Sequence, residues 1–169
     1  MVEFLVIDGY NILHSWSSLK NIAVENLEHA RARLVDVMVN YSAVKGIKVV
    51  IVFDAHLVKG GIGSIQEISG VEIVYTAYGE TADMLIEKLA TRLRENDRLI
   101  VATSDWTEQR MVFGKGAMRL SARELEIEVN TCHEDLQNWI ESLPKSDSKL
   151  RGYLKEDIKE ILEKIRRNK

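Results

Sequence analysis

Acidic residues stand just past four β-branched runs of this sequence. Asp8 follows EFLVI, Asp54 follows IKVVIVF, Glu80 and Asp83 follow VEIVYT and a short loop, and Asp105 follows RLIVATS. Carboxylates brought to one place repel, and burying them is costly unless a positive charge sits among them. No Lys or Arg is the sequence neighbour of Asp8, Asp83 or Asp105. A divalent cation is the resident such a set calls for, and all-oxygen ligands suit Mg²⁺ or Mn²⁺ rather than zinc. A cation held by a few carboxylates keeps positions for water and phosphate oxygens, the arrangement used in phosphoryl and phosphodiester chemistry. Glu80 and Asp83 are three apart and can share one side of a helix's first turn. Taken singly, each aspartate reads equally well as a helix cap or a turn residue. Their joint placement is what points to a metal.

Other chemistries fare worse. Cys132 and His133 are adjacent within a long helical pattern, so their side chains diverge, and the thiol reads as buried or incidental. GGIG (60–63) lacks the Lys and Ser/Thr of a phosphate loop, and neither GxGxxG nor GxSxG occurs. His14 and His56 follow the first two strands and read first as surface histidines, next as substrate contacts and last as metal ligands.

The elements that must position these residues follow from periodicity. Strands are expected over 3–8, 47–54, 71–76 and 98–103, with a short edge strand over 117–120. Helices are expected from Asn26 to Lys45, with Gly46 ending it, and from Thr81 to about Arg94. Another short helix is expected after Asp105, ending near Phe113. Ser121-Ala122-Arg123-Glu124 reads as a capping box opening a helix that reaches Ser142, where Pro144 bars continuation. Residues 9–24 and 55–70 read as loops, the second holding four glycines. Strands alternating with helices imply βαβ units: an α/β fold with a mostly parallel central sheet and helices on both faces. In such sheets a ligand sits beyond the carboxyl ends of the strands, where the acidic residues lie.

Composition sets the outer bounds. The chain has 169 residues, 46% of them hydrophobic and 29% charged, which is ordinary for one globular domain. We expect a domain over 1–143, a polar linker over 144–152, and an amphipathic C-terminal helix over 153–169. No apolar run approaches a membrane span, and no secretory signal is legible at the N-terminus. One cysteine excludes an internal disulfide. A cytoplasmic location is the expectation. The net charge of −3 does not suit a protein coated in positive charge, yet charge is segregated. Residues 109–123 carry four basic residues (Arg110, Lys115, Arg119, Arg123) and no acidic one, whereas 124–141 carry six acidic and no basic ones. A basic stretch just after Asp105 fits a phosphate backbone approaching the carboxylate edge. Tyr10, Trp16, Tyr78 and Trp106 all follow strand ends, where aromatic rings can stack on unpaired bases.

Five segments together carry a family resemblance: VIDGYN (6–11), VFDAHLVKG (52–60), ETADMLIEKLA (80–90), VATSDWTEQ (101–109) and FGKGAMRLSARELEIEV (113–129). In order and spacing they resemble the YacP-like branch of the NYN-domain ribonucleases, which have a PIN-like three-layer fold. The resemblance spans residues 1 to about 143, and ETAD with TSDxTEQ is its specific part. It implies a metal-dependent endoribonuclease using Mg²⁺ or Mn²⁺, with RNA as partner. A bacterial member type is ribosome-associated and cleaves mRNA in the A site. Carried over by motif, Asp8 and Asn11 come from DGYN, Asp83 from ETAD and Asp105 from TSD, with Glu80 as a further catalytic residue and Asp54 as a further metal ligand. Lys59, Arg110, Lys115, Arg119 and Arg123 are the expected phosphate contacts, and Trp106 and Tyr10 the expected stacking platforms. Two rivals stand beside this reading. One is a non-catalytic RNA- or ribosome-binding module whose carboxylates cap helices. The other is a receiver-like domain phosphorylated on Asp54, which needs a lysine where this chain has Thr103-Ser104-Asp105.

Overall fold

The structure is a computed structural model that describes residues 2–54, 63–92, 97–105, 110 and 116–143. The expected linker, the C-terminal helix, the short helix after Asp105, Lys59, Trp106 and Lys115 lie outside the described residues.

Six strands form one sheet: β1 (Glu3–Asp8), β2 (Lys48–Phe53), β3 (Ser64–Ile68), β4 (Val71–Tyr75), β5 (Arg98–Ala102) and β6 (Met118–Leu120). Their order is β3-β4-β2-β1-β5-β6, and every pairing is parallel except β3 with β4. The helices are α1 (Gly9–Ser15), α2 (Ser17–Glu25), α3 (Leu27–Lys45), α4 (Ala82–Arg92) and α5 (Ala122–Ser142). The α/β architecture expected from the alternation of runs is therefore present, with β1 at its centre.

Strand alternation splits the core into two layers. Leu5, Ile7, Val49, Ile51, Phe53, Val71 and Ile73 pack with α1, α2, α3 and α5 on one face. Val6, Val50, Val52, Leu99 and Val101 pack with Ala82 and Ile86 of α4 on the other. β1 and β2 read as continuous apolar runs because both of their faces are covered.

The sequence-expected caps are in place. Asn26 accepts from the His29 N–H at 2.9 Å to start α3, and Gly46 ends it at φ +68°, a left-handed conformation that suits glycine. The Ser121–Glu124 capping box is closed in both directions at 3.2 and 2.7 Å. Thr81 caps α4 through the Met84 N–H at 3.2 Å.

Two expectations need correcting. Residues 9–24 are not a loop but α1 and most of α2, broken at Trp16, where the backbone is extended (φ −79°, ψ 122°). Each piece is too short for helical periodicity to stand out. The 55–70 stretch holds β3, whose four leading residues are exposed, so it shows no burial alternation. It turns into β4 through Ser69-Gly70, both at positive φ (49° and 85°), as a two-residue hairpin requires. The Ser-Gly dipeptide was the legible signal for that turn.

Gly9 begins α1 directly over the Phe53 ring. A Cβ there would lie 2.3 Å from Phe53 Cε1, and that ring is fully buried. Gly9→Ala is expected to destabilise the fold by about 1–3 kcal/mol through overpacking. Urea melts of the two proteins check this, and Gly9→Ala with Phe53→Leu should recover part of the loss.

Candidate active site

Asp8 is the last residue of β1 and also the N-cap of α1, accepting from the Asn11 N–H at 3.3 Å. The strand and the helix therefore share one residue, and the carboxylate is held at the carboxyl edge of the sheet. Three residues on, Asn11 turns its side chain across to the neighbouring strand end. The Ser104 N–H donates to Asn11 Oδ1 at 2.8 Å. Register makes that reach short, because Ile7 pairs with Ala102, which puts Asp8 level with Thr103.

The chain after β5 is fixed at each step. Thr103 is fully buried, its N–H donates to the Leu120 carbonyl at 3.0 Å, and its hydroxyl accepts from the Asp105 N–H at 3.1 Å. Ser104 Oγ accepts from the Ala122 N–H at 3.2 Å, and the Ala122 carbonyl accepts from Trp16 Nε1 at 2.8 Å. Asp105 is thus delivered beside the β1 end by a hydroxyl turn and a bridge to the start of α5.

On the other side of β1, Asp54 directly follows β2, where Asp8 pairs with Val52. The Thr76 N–H donates to the Phe53 carbonyl at 3.0 Å, so the chain leaving β4 passes next to Asp54. From there a turn leads into α4, with Asp83 in its first turn. Asp8, Asp54 and Asp83 are half-buried and Asp105 is exposed. Glu80 stands just before α4 and forms an ion pair with Lys88. This carboxylate is therefore already neutralised locally.

Four strand ends place Asp8, Asp54, Asp83 and Asp105 along one edge of the sheet. Among the described residues, no three His, Cys, Asp or Glu side chains form a group that could hold a metal by themselves. Such an open, all-oxygen edge does not fit a closed protein cage. Mg²⁺ typically takes one or two carboxylates and fills its remaining positions with water and substrate phosphate, so such an ion would need no more than two of these side chains.

Tyr10 is not available as a stacking platform. It is buried, its ring lies 5.1 Å from that of Phe53, and its hydroxyl accepts from Arg31 Nη1 at 3.1 Å. Trp16 is likewise buried, with its indole N–H committed to Ala122. An aromatic at a strand end packs inward when the helix it opens lies over the sheet. Phe53 also stacks on Tyr75 at 5.6 Å. Burial pushes the Tyr75 phenol up, and Arg31 alongside pulls it partly back.

Residues 5–167 match the model of the YacP-like NYN domain. YacP of Bacillus subtilis (strain 168) is 40% identical over 167 residues, covering 98% of both chains. The chain belongs to the YacP-like NYN-domain family. The crystal structure of Rae1 (YacP) from Bacillus subtilis is similar with a TM-score of 0.77 at 38% identity, over 97% of this chain and 94% of that one. A substituted variant of Rae1 is similar with a TM-score of 0.71, also at 38% identity, over 83% of this chain and 82% of that one. The PIN-like architecture expected from the motifs is borne out. The family implies a nuclease-type, RNA-related function, with RNA as the substrate class. Its matched span runs past residue 143 and through the tail.

Three of the expected phosphate contacts, Arg110, Arg119 and Arg123, lie among the described residues. Arg119 lies on β6, near enough to Glu124 to help hold that carboxyl below its usual range, behind the larger effect of the Ser121 hydrogen bonds. Arg123 is exposed in the first turn of α5, and Arg110 is exposed. Sequence reasoning missed Ser104 and Trp16 as the residues that tie the edge together. Only the TSD motif contained a hint of the former.

A cleft of about 840 Å³ opens elsewhere, between α2, α3 and α5, and Cys132 and His133 line it. Burial raises the Cys132 thiol, which disfavours a nucleophilic thiolate there. Among the described residues no helix is long and apolar enough to cross a membrane.

Asn11→Ala removes the acceptor of the Ser104 N–H and is expected to cost about 1 kcal/mol of stability. Asn11→Asp keeps an acceptor oxygen. Hydrogen exchange at the Ser104 amide should accelerate in the first variant and stay close to the parent in the second.

Proposed function

We propose that this protein is a metal-dependent endoribonuclease whose RNA strand lies along the carboxyl edge of the sheet. The observation that carries the reading is the Asn11–Ser104 hydrogen bond, which joins the DGYN and TSD motifs at one edge beside Asp8. Family membership supplies the substrate class.

In this reading Asp8, Asp83 and Asp105 hold Mg²⁺ or Mn²⁺, directly or through water, with Asp54 behind them. The bound metal supplies an acidified water and offsets charge on the phosphate. The chain's own residues do the remaining work. Asn11 Oδ1 is committed to the Ser104 amide, so a contact from Asn11 to the scissile phosphate is a donation from Nδ2. Glu80 acts through Lys88, and their pairing keeps the lip of the site close to neutral for an approaching phosphate. Arg110, Arg119 and Arg123, with Lys59 and Lys115, contact flanking phosphates, and Trp106 stacks on a base. The resemblance extends the reading to mRNA in the ribosomal A site, in the cytoplasm.

The receiver-like alternative loses support from β5, which runs into Thr103-Ser104-Asp105 where such a domain needs a lysine. The non-catalytic RNA-binding module is separated by experiment. A labelled RNA, free or on translating ribosomes, should be cut with Mn²⁺ or Mg²⁺ and left intact in EDTA. Asp8→Asn, Asp83→Asn and Asp105→Asn should each lower cleavage by at least about 100-fold. Asn is as good an N-cap as Asp, so the Asp8 variant should melt within about 0.5 kcal/mol of the parent. Metal at 100 times its Kd should stabilise the parent by about 2.7 kcal/mol and the Asp83 variant much less. Binding of RNA without cleavage under all of these conditions would leave the module reading in place.

A further inference from the structure

The turn between β4 and α4 presents an aromatic ring to solvent. Tyr78 is 89% exposed, the highest value among the exposed large hydrophobic residues described. Its setting is not that of a slack loop. The Glu80 N–H donates to the Ala77 carbonyl at 2.9 Å, closing the turn around Tyr78 and Gly79, and Gly79 takes the left-handed φ of +83° that the closure needs. The strand next door braces it. Gly63, just before β3, lies so close that a Cβ there would sit 3.3 Å from the Ala77 backbone nitrogen. On the incoming side the Thr76 N–H is bonded to the Phe53 carbonyl, and on the outgoing side Thr81 caps α4. The ring is therefore held out into solvent by a turn fixed at both ends.

Its position relates it to the carboxylates. The turn starts one residue past Thr76, which is tied to the residue before Asp54, and it ends two residues before Ala82, after which comes Asp83. Met84 is half-exposed in the same first turn of α4. Glu80 beside it is ion-paired with Lys88, which lessens the negative charge this turn presents to a phosphate backbone. With Tyr10 and Trp16 packed inward, Tyr78 is the described strand-end aromatic whose face is open.

We infer that Tyr78 is a base-stacking platform: it receives one unpaired base of the RNA strand beside the Asp54–Asp83 side of the site, so the site selects single-stranded over duplex RNA. Base-paired RNA keeps its bases stacked on one another and offers no face to the ring, whereas a single strand does. The inference rests on the reading that RNA occupies the carboxyl edge.

Binding measured in EDTA with the full-length Asp105→Asn protein separates the two ideas, because no cleavage is required. The probes are a fluorescent single-stranded RNA and the same sequence annealed to its complement. Tyr78→Ala is expected to weaken single-strand binding by about 5- to 150-fold, the range of one lost stacking contact. Tyr78→Phe should stay within about twofold of the parent, and duplex affinity should be unmoved by either change. A 2-aminopurine base scanned along the strand should be quenched at one position by the parent ring and not by Tyr78→Ala. An exposed ring is not needed for folding, so the melts of both variants should match the parent. Equal single-strand affinity for the parent and Tyr78→Ala overturns the platform while leaving the endoribonuclease reading intact. Equal losses on single-strand and duplex RNA overturn it as well, since they mark a general surface contact. Absence of RNA binding by the parent both in EDTA and with added Mg²⁺ overturns both.

Discussion

The Ser104 N–H donates to Asn11 Oδ1 across the carboxyl edge of the sheet, and the geometry of the site depends on that bond. Ser104 in turn accepts the Ala122 N–H through its hydroxyl, and the Ala122 carbonyl accepts the Trp16 indole N–H. Asn11 lies within α1 and Trp16 is the residue that ends it. The helix is thus tied near both ends to the segment that carries Asp105 and to the start of α5. A seven-residue helix has little stability of its own. These tethers and its buried face hold it in register with the strand ends. Loss of one tether would move Asp8 and Asp105 relative to each other, even though neither side chain had been touched.

Beneath that network the packing is unforgiving. Phe53 is fully buried between the Tyr10 and Tyr75 rings, with Gly9 pressed against its edge. The Arg31 guanidinium donates to the Tyr10 hydroxyl, so the aromatic stack is pinned from α3 as well. The glycine of the DGYN motif therefore serves packing, while its aspartate and asparagine serve the edge. One four-residue motif closes the strand, starts the helix, clears space for a ring and reaches the neighbouring strand end.

Much of this was legible in the sequence because periodicity and caps report local physics. Continuous apolar runs marked β1 and β2, and the Ser121-x-x-Glu124 box marked the start of α5. What escaped had a physical reason in each case. The helices α1 and α2 are short and interrupted at Trp16, and β3 has almost no buried face for alternation to record. The sidedness of Tyr10 could not be read either, because a residue two past a strand end packs inward or outward according to the helix it enters. The carboxylate edge itself was legible as a topological consequence: parallel strands must send their carboxyl ends the same way. Hydrogen bonds between residues 93 and 106 positions apart, Asn11 to Ser104 and Trp16 to Ala122, leave no local trace in a single chain.

The aspartates are also eased by their own surroundings. Sequence reasoning alone made a metal the natural answer to their mutual repulsion. The fold supplies a partial answer of its own. Asp8 accepts the Asn11 N–H at the start of α1, and Asp83 lies in the first turn of α4, where unpaired N–H groups favour negative charge. Asp105 is drawn toward Thr103 by its own backbone N–H and stays exposed, where water screens it. Helix ends and solvent thus take up the charge that would otherwise force the carboxylates apart. In the proposed reading, such an edge would fold before a metal binds and would leave oxygen ligands open to water and phosphate.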